Sequence, residues 1–174
     1  MVETTESILD ALGPVFLELG KAVYICQTFE SSLCLLLAQM AHEGSEGEDG
    51  AFQAAWDFHS KKPLGRLLKS LAAQIEVPKD LEAYLSSGID KRNEIVHTYL
   101  TKNAKRLYDT KGRLEVEKEL SELKLEVKRR DVVINKLIDV LFKKYGVSNE
   151  SLKRDADKLW EYLNPKQPPG PSAH

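Results

Sequence analysis

Two stretches of helical apolar periodicity, one towards each end of the chain, leave little choice of architecture. From Val15 to about Glu43, the residues Leu19, Val23, Cys26, Leu33, Leu37 and Met40 share one face of a long helix. From Leu114 to Tyr145, Val116, Leu120, Leu123, Val127, Ile134, Leu137 and Leu141 alternate steps of four and three. Arg130 stands in the one slot of that series where an apolar residue is missing, and Gly146 ends the helix. No segment alternates with the period of a strand, so the two stripes must be buried by other helices.

Shorter helices fill the middle. Gly13-Pro14 reads as a break before the first long helix. Gly44 to Gly50 is an acidic loop, Ala51 to His59 a short helix, and Ser60-Lys61-Lys62-Pro63 a turn that caps a helix from Leu64 to Ile75. Val77-Pro78 breaks the chain again. Lys79 to about Lys102 then reads as one continuous helix, Asp109 to Gly112 as a turn, and Ser148 to Leu163 as a last short helix. The expected fold is all-α: a single-domain helical bundle over residues 1–164, with two long helices and a helix carrying a polar motif at its centre. Residues 165–174 form a proline-rich tail that should be mobile. At 174 residues the chain is long enough for one real core.

Composition removes several classes of function. A net charge of −2 gives no global field to attract nucleic acid, so any RNA affinity must be local. No apolar run is long enough to span a bilayer, and the acidic start Met1-Val2-Glu3 is unlike a signal peptide; the expected location is cytoplasmic. Cys26 and Cys34 lie eight apart in one helix, about 12 Å along its axis, too far to bridge, so both should be buried free thiols. Two cysteines and scattered histidines give no zinc spacing, and no cofactor motif is present.

The polar motif is Lys91-Arg92-Asn93-Glu94-Ile95-Val96-His97-Thr98-Tyr99. It holds a permanent cation, an amide, an imidazole and a phenol in one helix. Such side chains grip phosphate and move protons beside it. At ~100° per residue, Leu81, Leu85, Ile89, Val96 and Leu100 cluster on one side of an ideal helix. Arg92 falls among them with Tyr99 in line, while His97 lies about 140° away from Arg92. An arginine in an apolar stripe is costly unless paired. Glu30 occupies a matching place on the first long helix, among Val23, Cys26, Leu33 and Leu37, with Gln27 at its border. Each misplaced charge is most simply explained by the other, which predicts an ion pair between Glu30 and Arg92.

Arg92-Asn93-x3-His97 resembles the Arg-x4-His signature of the HEPN superfamily. With Tyr99 added, it resembles the Arg-x4-His-x-Tyr variant of toxins paired with minimal nucleotidyltransferase antitoxins. Lys62-Pro63-Leu64-Gly65-Arg66-Leu67-Leu68 loosely resembles the lead-in to the motif helix, and Gln27-x2-Glu30-x2-Leu33 is also suggestive. The resemblance implies a metal-independent endoribonuclease in which the RNA supplies its own nucleophile, the 2′-hydroxyl. It implies His97 as acid or base, Arg92 stabilising the phosphate in the transition state, and Asn93 orienting either one. It also implies a homodimer with the motifs facing across the two-fold axis, and Tyr99 as the residue a nucleotidyltransferase antitoxin modifies. The 140° spread between Arg92 and His97 fits a site shared by two copies.

Lys102, Lys105 and Arg106 directly follow the motif and are placed to track RNA leaving it. The run Lys128-Arg129-Arg130 and the group Lys61, Lys62 and Arg66 are two further basic clusters. The rival class is a catalytically idle helical adaptor, binding RNA or protein, whose Arg92 is structural. A third reading, a nucleotide-binding helical regulator, has only the basic helix start at Lys61 and Lys62 behind it.

Overall fold

A computed structural model of the chain describes residues 5–46, 48–74 and 77–144. Among the described residues there is no strand. Helix α1 spans Thr5–Gly44, α2 Ala51–His59, α3 Leu64–Gln74, α4 Lys79–Asn93, α5 Tyr99–Asn103 and α6 Thr110–Lys144. A π-helical turn over Glu94–Thr98 joins α4 to α5, and a 3-10 turn over Ala104–Tyr108 leads from α5 towards α6. The last helix expected over 148–163 and the tail over 165–174 lie outside the described residues. Packing separates a unit ending at Ile138 from one beginning at Asp139, and every side chain of the site belongs to the first. No helix among the described residues is long and apolar enough to cross a membrane.

Helix α1 does not begin at Pro14 as expected; it passes through that residue. Proline removes one i→i−4 hydrogen bond, and its ring crowds the Cβ of the residue before it. That residue is Gly13, which has no Cβ for the ring to meet, so the crowding is relieved. The buried face of α1 carries Val15, Ala22, Cys26, Phe29, Leu33 and Leu37. This stripe packs against α2, α3 and the π turn, and α3 packs in turn on α4. Both cysteines are free and buried; burial pushes the Cys26 thiol up to about 11.

Helix α6 starts at Thr110, earlier than expected. Gly112 belongs to its first turn instead of to a preceding loop. The reason is a close approach: a Cβ on Gly112 would lie 2.0 Å from the Arg106 carbonyl oxygen. Asp109 caps the new helix through its carboxylate, which accepts the Gly112 N–H at 2.8 Å. Further along, Val116, Leu120, Val127, Ile134 and Ile138 are buried, and so is Arg130 in the slot the spacing left for it. Its guanidinium donates to the Tyr84 carbonyl, the Ser87 hydroxyl and both the carbonyl and carboxylate of Glu126. It also lies 4.3 Å over the Tyr84 ring. Gly88 makes room for it, since a Cβ there would come within 2.5 Å of Arg130 Cδ. Arg130 is therefore a core residue, not part of a basic surface run.

Candidate active site

The helix carrying the motif is not continuous α-helix. Tyr99 N–H reaches back five residues to the Glu94 carbonyl, where an α-helix would use Thr98 N–H. The Thr98 hydroxyl takes a share of the same carbonyl at 3.4 Å, and Thr98 itself sits at φ −131°, ψ −17°. A threonine side chain that competes for the i−4 carbonyl loosens the helical ladder at that point. The widened turn absorbs one extra residue and shifts everything after it. Val96, expected on the buried stripe, is 37% exposed, and Ile95 is buried in its place.

That shift changes the geometry of the motif. On an ideal helix, residues five apart diverge widely; across a π turn they come back to one face. Arg92 Nη1 lies 3.0 Å from His97 Nε2. A guanidinium can only donate, so Nε2 can join this hydrogen bond only as its acceptor. The same Nη1 donates to Asn93 Oδ1 at 3.0 Å. Arg92 Nε donates to Glu30 Oε1 on α1, so the two charges that each interrupt an apolar stripe face one another. One arginine thus joins a carboxylate, an amide and an imidazole from two helices. The expected spread between Arg92 and His97 is overturned: a single chain brings both groups together.

The hub is only partly enclosed. The Arg92 side chain is 20% exposed and that of Glu30 32%. Asn93 and His97 are exposed, and no hydrogen bond holds Arg92 Nη2 among the described residues. On the outer side, His97 borders an open hollow of about 590 Å³ whose wall includes Asp90, Asn93, Thr98 and Lys102. Lys102 is paired with Glu94 at 3.5 Å across the same hollow.

The remaining motif residues divide by role. Tyr99 is 3% exposed and joins Val15, Val116 and Leu120 in a buried cluster. Its hydroxyl shares its proton between the Val116 carbonyl at 3.2 Å and Glu119 at 3.0 Å. Burial first, then Glu119, hold its pKa far above the ordinary phenol range. Tyr99 thus packs against α6, and no hydrogen bond links it to the arginine it was expected to accompany. Arg106, expected to meet RNA, is spent on the fold. It donates to Asn103, Glu115 and Glu119, and the Glu119 hydrogen bond above all raises its own pKa further. Lys102 and Lys105 remain as exposed cations beside the motif.

A second ion-pair centre escaped the sequence reading. Glu18 is buried on α1 and accepts from Lys124 of α6 and from Lys21. Its position between Val15 and Ala22 on the buried stripe is the same signal that exposed Glu30. Burial pushes its pKa up, but the hydrogen bonds from Lys124 and Lys21 outweigh it and the net shift is downward. Compared with protein-family models, curated proteins and solved structures, the chain matches none of them.

Proposed function

We propose that this chain is a metal-independent endoribonuclease of HEPN type, with RNA as substrate and the Arg92–His97 pair as its catalytic unit. The observation that carries this is the π turn, which sets the Arg92 guanidinium, with Nη2 free of any hydrogen bond among the described residues, and the His97 imidazole side by side at an open surface. A phosphate oxygen would replace His97 as the acceptor of Arg92 Nη1, with Nη2 beside it forming a two-pronged grip. His97 Nε2, released from Arg92, then takes the proton of the attacking 2′-hydroxyl or returns one to the leaving 5′-oxygen. Arg92 stabilises the charge that builds on the phosphate. Glu30 holds the guanidinium from behind and Asn93 from the side, so that neither group has to reorganise as charge develops. Lys102 and Lys105 flank the path of the chain.

Attack and departure require a base and an acid at once, and one imidazole serves only one of these at a time. A second copy of the chain supplies the other, so the active form in this reading is a homodimer with the two motifs facing each other. A cytoplasmic location and a nucleotidyltransferase antitoxin complete the reading as a toxin. Tyr99 reaches such an antitoxin only if it leaves its place against α6. The adaptor reading draws on one observation, that Arg92 Nε is already committed to Glu30. Purified protein incubated with total RNA in chelator separates the two. A nuclease cuts, and His97→Ala abolishes cutting while keeping the fold; an adaptor does not cut at all.

A further inference from the structure

We propose that the cavity between α1 and the α2–α3 turn is a subsite for one unpaired nucleobase of RNA, adjoining the catalytic pair. The inference rests on the nuclease reading for its choice of ligand. The cavity holds about 380 Å³ and is lined by Gln27, Glu30, Ser31, Trp56, Ser60 and Lys62, among others. That volume lies in the range of small-ligand sites.

The lining has the parts needed to hold a nucleotide. Trp56 is half-buried and braced by Phe52, whose ring lies 6.4 Å away and nearly parallel. An indole fixed in this way is a stacking surface for any base. The side chains of Gln27 and Ser31 make no hydrogen bond among the described residues, so an amide and a hydroxyl are free to meet a base edge. Lys62 holds its ammonium 3.4 Å over the Phe58 ring, leaving its charge at the wall for a phosphate. Glu30 provides the link to catalysis. It lines this cavity and also accepts from Arg92 Nε, while Arg92 Nη1 touches His97. A base in the cavity is thus separated from the catalytic arginine by a single carboxylate. A paired base cannot enter, so the subsite selects single-stranded RNA.

The test is fluorescence anisotropy in chelator with wild-type protein and a labelled 2′-O-methyl oligoribonucleotide, which lacks the attacking hydroxyl and stays intact. Trp56→Ala and Gln27→Ala should each weaken single-strand binding about fivefold or more. Lys62→Ala should lower the slope of log affinity against log salt by about one. A duplex of the same sequence should not compete. Gln27 is exposed, so its truncation keeps the test open if Trp56→Ala fails to fold. Unchanged affinity in Gln27→Ala, or equal competition by the duplex, overturns the subsite. Competition by free 5′-mononucleotides at the oligonucleotide's own concentration overturns the assignment to RNA. If metal-free cleavage depends on His97 but binding ignores Trp56 and Gln27, the subsite falls alone. If binding depends on them but His97→Ala cuts as well as wild type, the nuclease reading falls and the subsite stands.

Discussion

At the scale of single residues, Arg92 decides the chemistry and part of the stability. Its pair with Glu30 is neither a surface ion pair, worth about 0–1 kcal/mol, nor a fully buried one whose breakage costs about 3–5 kcal/mol. With a fifth of Arg92 and a third of Glu30 exposed, removing either partner should cost about 1–3 kcal/mol. A double-mutant cycle of Glu30→Gln and Arg92→Met, read by urea unfolding, should show coupling between them; simple additivity would mean that the contact carries no energy. Arg92→Ala is a poor catalytic control for the same reason, and Glu30→Gln is the better probe of positioning. Both residues were legible in the sequence because each breaks an apolar stripe. The contact between Arg92 and His97 was not. It depends on a π turn, and a wheel drawn at constant pitch has no place for one.

At the scale of elements, two glycines fix how the helices meet. Gly88 lets α4 lie against the Arg130 side chain of α6, and Gly112 lets the start of α6 lie against the backbone of the 3-10 turn. Gly88→Ala should destabilise by about 1–3 kcal/mol, because Arg130 is tethered by several hydrogen bonds and yields little. Gly112→Ala should cost more, since its neighbour is backbone. Urea unfolding of the two variants checks both the sign and the order. The long helices, α2 and the start of α3 were readable from periodicity and turn residues. The continuation of α1 through Pro14 was not, because a Gly-Pro pair is the ordinary mark of a break, and the same glycine that reads as a breaker also removes the Cβ that the proline ring would crowd. The early start of α6 was hidden in the same way: Gly112 looks like a turn residue until the backbone packed against it is seen.

At the scale of the whole molecule, acid should weaken the fold in two stages. His59 is buried, and burial, then Lys62, lowers its pKa below 6.5. The unfolded chain therefore binds a proton there first; the stabilisation is complete above about 6.5 and fades as pH falls through the lower folded value. The carboxylates of Glu18, Glu119 and Glu126 are all lowered from 4.5. For Glu119 the first cause is the hydrogen bond from Arg106, and for Glu126 that from Arg130. Their contribution is complete above about 4.5 and is lost as pH falls through the folded values. Thermal unfolding from pH 8 to pH 3 should fall gently below 6.5 and steeply below 4.5. A stability that instead dropped as pH rose from 6 to 8 would contradict this assignment.

The most direct measurement on the Arg92–His97 pair is the fate of a defined single-stranded oligoribonucleotide incubated with the protein in chelator. The Arg92–His97 pair predicts cleavage without added metal, 2′,3′-cyclic phosphate ends, no reaction on the 2′-deoxy version, and loss of nearly all activity in folded His97→Ala. Cleavage that requires magnesium, leaves 3′-hydroxyl ends, or continues undiminished in His97→Ala would contradict it.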